Sequence, residues 1–435
     1  MDINHISSDI PQSKEKQELL KQKNVENIYL GQGLIFVPPE TAVQGYNEFL
    51  EQNFIDPRDF PLNLVQRKGQ GGDFYNSPRL DAIWKDMQDK QFKNGSRSPK
   101  AFGTFIRTES RETMEKLFQI DKNEIATMQV DNLMQALRCV QKVIPELIGE
   151  HVSRVILPAK YKYSGHTDFT TSAKKVGTDM EVIEVPEIQI DGSQDLKGLE
   201  EAFMQVKRER RIAIFIDQEH NNNASGFDRN PSQNEDLSKL LKKYEGIIFY
   251  FGDDAYKGLK EDILAPYPLM QQLIADKVTA FHYTSFSKVG NYHDTPGFKS
   301  ILTATQGEFA NKEALRDAFE KIQRSEGIGA TADGAILMNQ LVKDAEFLKE
   351  VRVLKLYLMH IRARLSEGLK DTELASLFSE KTNGIFRCMP PDITKKLNSG
   401  PEQAITVGDR INIWPLGDPK DREFFLKLLE NQSKS

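Results

Sequence analysis

Three apolar runs in the middle of this 435-residue chain end in residues that can bind ligands and move protons. Ile212–Ile216 leads into Asp217-Gln218-Glu219-His220-Asn221-Asn222-Asn223-Ala224-Ser225-Gly226. Ile247–Phe251 leads into Gly252-Asp253-Asp254-Ala255-Tyr256-Lys257-Gly258, and Val278–Tyr283 into Thr284-Ser285-Phe286-Ser287-Lys288. Ligands of open parallel sheets bind beyond the carboxyl ends of the strands. A carboxylate, an amide, a phenol and a lysine at successive strand ends therefore converge on one crevice. Taken singly, each has an ordinary structural reading: the Asp caps a helix, the Lys is solvated, and the Asn-rich stretch is only a turn. In this order they form a much more specific set.

The elements that must hold these residues are readable from the same stretch. Arg154–Leu157, Val182–Val185 and Ile301–Ala304 are further apolar runs. Runs without alternation, bounded by breakers, predict strands buried on both faces. Leu196–Arg208 predicts a helix between them, and Leu237, Leu240, Leu241 and Tyr244 mark another at three-and-four spacing. Ser232-Gln233-Asn234-Glu235 has the form of a capping box at its start. Strand and helix alternating over this length predict an α/β fold whose mainly parallel sheet carries helices on both faces. From about 309 to 368 the pattern is almost pure helix, with one stripe at Ala314, Leu315, Ala318, Phe319 and Ile322. A second stripe runs from Ile336 through Leu341, Leu348 and Val351 to Leu354. A smaller α+β unit follows: a helix near 372–379, strands near 384–388 and 410–413, and a C-terminal helix from Lys420. The first sixty residues read as a helix at 17–23, a strand at 27–31 and proline-rich loops. The expected organisation is 1–65 packing with the small domain, 66–320 as the large domain, and 321–435 as the interdomain helix and small domain.

The three strand ends resemble the aspartate aminotransferase group of fold type I pyridoxal 5′-phosphate (PLP) enzymes, the class I/II aminotransferases. The family's Asn-Pro-Thr-Gly turn is matched by Asn223-Ala224-Ser225-Gly226, its Asp-x-Ala-Tyr-x-Gly segment by Asp253–Gly258, and its Ser-x-Ser-Lys motif by Ser285–Lys288. The separations are similar too: thirty residues from Asn223 to Asp253 and thirty-five from Asp253 to Lys288. Near the C-terminus, Asp409-Arg410-Ile411-Asn412-Ile413 resembles the segment that holds the substrate carboxylate. The resemblance implies a role for each residue type. Lys288 forms a Schiff base with the cofactor aldehyde and then shuttles a proton. Asp253 keeps the pyridine nitrogen protonated, while Asp254 is a structural or surface acid. Tyr256 and Asn223 donate to the cofactor's phenolic oxygen. Arg410 grips the α-carboxylate with two parallel hydrogen bonds. Tyr163 stands where the family stacks an aromatic ring over the cofactor, Gly33 matches a backbone position near the substrate, and Tyr75 matches a tyrosine donated to the neighbour's phosphate site. Arg324 stands where members specific for dicarboxylates reach across the dimer to an acidic side chain; its alternative reading is a surface arginine. The resemblance thus implies a homodimer that moves amino groups between an amino acid, acidic if Arg324 points inward, and a 2-oxo acid.

The departures cluster on the cofactor phosphate. The family binds it with a Gly/Ser-Gly-Thr turn at a helix N-terminus, where backbone amides and the helix dipole favour an anion. Here those positions are Asn132, Leu133 and Met134, preceded by Asp131. The family's arginine eight residues after the lysine is replaced by Pro296. Losing a charged contact of this kind costs about 1.5–3 kcal/mol. Ser285 and Ser287 remain as donors; Lys299, His293 and Arg79 are candidates to substitute. Three readings stand open: an aminotransferase with a rebuilt phosphate site, another PLP reaction such as decarboxylation or elimination, and a former enzyme with weak or no PLP binding.

Composition narrows the remaining classes. The net charge of −6 argues against a protein held to nucleic acid by bulk basicity. The run Lys207-Arg208-Glu209-Arg210-Arg211 closes a helix, where cations suit the C-terminus. No apolar run approaches the roughly 18 residues of a membrane helix. The polar N-terminus lacks the order of a signal peptide, which points to a cytoplasmic protein. Cys139 and Cys388, the two cysteines, read as ordinary buried thiols, so neither a disulfide framework nor a CxxC metal site is expected. The seven histidines show no metal-ligand spacing, and His166 and His220 read as structural residues near the crevice. Gly69-Gln70-Gly71-Gly72 lacks the context of a phosphate loop and reads as a plain loop.

Overall fold

The structure is a computed structural model that describes residues 27–29, 36–37, 39–59, 63–66, 73–76, 79, 82–83, 85–86, 99–159, 164–175, 180–189, 191–218, 229–256, 264–285, 300–326, 339–378, 385–398, 403–405 and 410–433. The chain divides into two compact units, one of residues 76–356 and 380–385, the other of 1–75, 357–379 and 386–435. The sequence placed the boundaries at 65/66 and 320/321. The second of these differs most, because the division at 356/357 falls inside a continuous helix with no breaker to mark it.

The larger unit is built on seven strands and the helices between them. In chain order they are α1 (Pro99–Phe118), β1 (Ile125–Val130), α2 (Leu133–Ile148), β2 (Val152–Pro158), α3 (Ser164–Lys175), β3 (Glu181–Val185) and α4 (Leu196–Arg208). There follow β4 (Ile212–Asp217), α5 (Asn234–Lys243), β5 (Ile248–Asp254), α6 (Pro268–Ala275), β6 (Ala280–Ser285), β7 (Ser300–Thr305), α7 (Lys312–Glu326) and the first part of α8 (Ala345–Gly368), whose residues from 357 onward belong to the smaller unit. The sheet order is β1-β7-β6-β5-β4-β2-β3. The five strands from β6 to β3 pair in parallel, and β7 lies antiparallel between β6 and β1. Six strands therefore end at one edge of the sheet.

Side-chain alternation along each strand separates two buried layers. On one face Phe215, Tyr250 and Ala280 pack against Phe118 of α1, Phe203 of α4, Leu241 of α5 and Leu273 of α6. On the other, Phe281 meets Phe319 of α7, and Met128 of β1 meets Cys139 of α2. Each fully buried side chain of this kind contributes about 1.5–3 kcal/mol relative to exposure. Strands β4, β5, β6 and β7 are buried along their whole length, as their uninterrupted apolar runs predict. β3 is the exception: it is an edge strand, and Val182 is exposed. A continuous apolar run does not reveal which strand lies at the edge.

Helix ends follow local chemistry. α4 starts at Asp195, whose carboxylate accepts from the amides of Lys197 and Gly198, and it buries Leu199, Ala202, Phe203 and Val206. α2 ends at Gly149, which adopts the left-handed φ of 74° that L-residues avoid and donates to Pro145 O. The expected Ser232–Glu235 box is corrected. Pro231 opens a short 3-10 turn, Asn230 caps it by accepting from Ser232 N, and α5 begins at Asn234 with no side-chain cap. Proline's fixed φ starts the turn earlier than the box would allow.

In the smaller unit, Asn27–Tyr29 pairs in parallel with Gln403–Ile405, and Phe386–Cys388 pairs antiparallel with Arg410–Asn412. Helix Pro39–Gln52 stands where the sequence suggested proline-rich loops. Its Tyr46 and Phe49 pack on Tyr357, which meets Trp414 edge-on at 5.4 Å. The 372–379 helix is a 3-10 turn, Glu373–Phe378, and the last helix runs Pro419–Ser433. The expected helix at 17–23 and the loop at 69–72 lie outside the described residues.

Candidate active site

The register across three strands decides what meets at the edge. Gly252 of β5 faces Asp217 of β4, and Asp253 faces Tyr283 of β6. Gln218, the residue after Asp217, therefore falls beside Asp253. Residues on one strand alternate sides, so Asp253 and Asp254 point to opposite faces despite being neighbours.

Asp253 is 2% exposed. Its Oδ2 lies 3.1 Å from His166 Nε2 at the start of α3 and 3.1 Å from Gln218 Nε2. A carboxylate only accepts, so both nitrogens donate, and Nε2 is the protonated nitrogen of His166. Two donors on one oxygen fix the carboxylate plane. The other oxygen, Oδ1, is buried with no hydrogen-bonding partner among the described residues. Burying a carboxylate oxygen without a donor is costly. A cationic N–H delivered by a ligand would satisfy it with a charge-assisted bond.

Asp254 is a structural acid rather than a surface one. It and His282 are fully buried, with Asp254 Oδ2 3.0 Å from His282 Nδ1, close enough for an ion pair but not aligned as a hydrogen bond. Phe118, Tyr250 and Tyr267 surround the imidazole. The ring lies so close to β5 that a Cβ on Gly252 would sit 2.6 Å from it, which is why glycine stands there. On the same face Asp217 accepts from Arg229 and from Tyr250 Oη at 3.1 Å, and Arg229 also donates to Gln194 at 2.7 Å. This buried cluster ties the end of β4 to Arg229, across the segment that carries Asn223.

Of the ten residues to which the resemblance gave a catalytic, cofactor or substrate role, the structure places four by their side chains. Asp253 is described above. Tyr256 is buried two residues beyond β5, and Ser285 is buried at the end of β6, opposite Ser300. Arg324 is exposed near the end of α7 and donates to Glu320 at 2.9 Å. Tyr75 and Arg410 lie on the strands Asp73–Asn76 and Arg410–Asn412, and only the backbone of these two residues is described. Lys288, Asn223, Tyr163 and Gly33 lie outside the described residues, as do Ser287, His293, Pro296, Lys299 and His220. Sequence reasoning missed Gln218 and set His166 aside as structural. The usable signals were weak: Gln218 follows a strand-ending carboxylate, and His166 opens a helix after β2. Among the described residues, no group of His, Cys, Asp or Glu could hold a metal ion.

The described residues fit the two ends of PLP differently. Asp253 Oδ1 suits a protonated ring nitrogen. At α2, where the family turn would hold phosphate, Asn132 is the N-cap and its Oδ1 accepts from Gln135 N at 3.0 Å. Gln135 Oε1 in turn accepts from Asp131 N at 2.5 Å. Arg79, one of the candidate substitutes, places its fork on both oxygens of Asp344. The side chains at this helix start thus bring no charged donor to a phosphate, and the donors there are the backbone amides of Leu133 and Met134.

No family model and no curated protein matches the sequence. Solved structures match closely in fold. A putative aspartate aminotransferase from Leishmania major Friedlin superposes with a TM-score of 0.70 at 13% identity, covering 98% of this chain and 96% of the other. The cytoplasmic aspartate aminotransferase from Giardia lamblia gives 0.63 at 15%, covering 91% and 97%. An aromatic-amino-acid aminotransferase from Burkholderia pseudomallei, covalently bound to pyridoxal phosphate, gives 0.60 at 15%, covering 95% and 96%. This chain has the fold of those aminotransferases along nearly its full length.

Proposed function

We propose that this protein is a PLP-dependent aminotransferase that moves an amino group between an amino acid and a 2-oxo acid. The observation that carries the reading is Asp253. In a fold shared with aminotransferases, a buried carboxylate at a strand end has one oxygen held by His166 and Gln218 and the other left for a ligand. When bound, PLP supplies an electron-accepting ring, and that ring works best with its nitrogen protonated. Asp253 would hold that proton at the ring nitrogen, with His166 and Gln218 fixing the carboxylate's direction. Tyr256, Asn223 and Ser285 are proposed to line the cofactor, and Tyr163 to stack on it. Lys288 is proposed as the amine that carries the proton. Arg410, Arg324, Gly33 and a neighbour's Tyr75 are proposed to complete the substrate and cofactor contacts in a cytoplasmic homodimer. The proposed donor is an acidic amino acid where Arg324, exposed on its own chain and bonded to Glu320, turns to a neighbour's site.

The test is direct. Purified protein is titrated with PLP, its near-visible absorbance recorded, and the mixture reduced with borohydride. The reading predicts a new band and a reduced cofactor adduct on the peptide containing Lys288. A protein that gives neither at any PLP concentration is not a PLP enzyme.

A further inference from the structure

Asp217 and Gly252 are the last registered pair of β4 and β5, so Gln218 lies just beyond the ladder. Its direction depends on what holds its neighbours. Gln218 Nε2 reaches Asp253 on one face of the sheet. Asp217, one residue earlier, points to the other face, where it accepts from Arg229 and from Tyr250 Oη. Asp217, Gln218 and Arg229 are all buried. Arg229 is in turn fixed to the segment after β3, since its second terminal nitrogen donates to Gln194 Oε1 at 2.7 Å. Gln194 and Gln233 exchange hydrogen bonds: Gln194 N donates to Gln233 Oε1 at 2.8 Å, and Gln233 Nε2 to Gln194 O at 3.0 Å. Beside them Asn230 N donates to Gly192 O at 2.7 Å. The guanidinium therefore spans two points, the amide of Gln194 and the carboxylate of Asp217.

A buried ion pair contributes little net stability compared with an apolar pair of the same volume, because both charges give up their water. What this one supplies is direction: a rigid planar guanidinium bonded at both ends fixes the residues that it joins. A shift at Asp217 passes to Gln218 through one peptide bond, and Gln218 is one of the two donors that orient the Asp253 carboxylate. Resting on the assignment of Asp253 to a ligand's ring nitrogen, we infer that Arg229 is a positioning residue of the site. It holds Asp217 from the far face of the sheet, and through Gln218 it aims Asp253 Oδ1 at the ligand.

The experiment measures dissociation constants of the full chain for pyridoxamine 5′-phosphate, which has the ring but forms no Schiff base with a lysine. Calorimetry compares the wild type with Arg229→Met, Gln218→Leu, their combination, and an Arg229→Met/Asp217→Leu double variant, with urea unfolding alongside. The expected result is a constant raised at least about fivefold by Arg229→Met, but less than about twofold when the same change is made in the Gln218→Leu chain, since both act on one network. Arg229→Met/Asp217→Leu regains stability but not affinity. Where Arg229→Met alone is too unstable to titrate, this double variant replaces it in both chains. An unchanged constant in the folded variants overturns the inference. So does a fold-change of equal size with and without Gln218, which would mark a general loosening of the fold. Both outcomes leave the cofactor reading intact. Wild-type protein that fails to bind the ligand removes that reading, and the inference with it.

Discussion

Asp253→Asn separates a functional carboxylate from a structural one. The side chain keeps one oxygen, which still accepts from His166 and Gln218. What changes is the other position, where Oδ1 becomes an NH2 group. A ligand's protonated ring nitrogen then faces a donor instead of a carboxylate oxygen. The lost charge-assisted bond is worth about 1.5–3 kcal/mol. At about 1.4 kcal/mol per factor of ten, the dissociation constant for pyridoxamine should rise by about 10- to 150-fold. The free protein should not suffer, because the variant removes a buried charge that has one unpartnered oxygen among the described residues. Its unfolding free energy should stay within about 0.5 kcal/mol or increase. Calorimetric titration and urea denaturation measure the two quantities. Unchanged ligand affinity in a stably folded variant would refute the reasoning. So would a loss of several kcal/mol of stability, which would make Asp253 a structural acid.

Three further outcomes test the framework around the site. Arg229→Met should cost about 3–5 kcal/mol in urea unfolding, because it leaves buried Asp217 without its cation; adding Asp217→Leu should recover part of that loss, and simple additivity would contradict the pairing. The Arg79 guanidinium, hydrogen-bonded to Asp344, holds that carboxyl below the usual carboxylate range. A carboxyl lowered by folding adds stability above its unfolded pKa of about 3.9, and that contribution is lost as the pH falls through the lower folded value. Asp344→Asn should therefore flatten the acid limb of a stability-versus-pH curve below about pH 4, and an unchanged limb would count against the pair. Burial pushes the Cys139 thiol up to about 12, so a thiol reagent at pH 8 should label it only in denaturant; rapid labelling of the folded protein would contradict its placement.

The parts of the fold that sequence displayed are those where burial is continuous. β4, β5 and β6 are apolar on both faces, so their runs and the polar residues that end them could be read directly. β1 was not recognised because Ile125–Val130 interleaves Thr127 and Gln129 with its apolar residues. α1 was missed too: Gly103 and four hydroxyl-bearing residues dilute its apolar stripe. The cap of α5 was misread because two local devices competed, and Asn230-Pro231 prevailed over Ser232–Glu235. The site divides in the same way. Asp253 was legible from a local motif. His166 lies 87 residues from it and Gln218 lies 35 away, and only the sheet register brings them together. Asp254 likewise had no readable partner, because His282 reaches it from the adjacent strand.

The most direct test of the central claim follows the nitrogen itself. The protein, supplied with PLP, is incubated with 15N-labelled glutamate or aspartate and a 2-oxo acid, and the products are resolved by mass spectrometry. The account predicts 15N in the amino acid derived from the added 2-oxo acid, and none when Lys288→Ala replaces the wild-type chain. PLP binding without any transfer of label from either donor would contradict it.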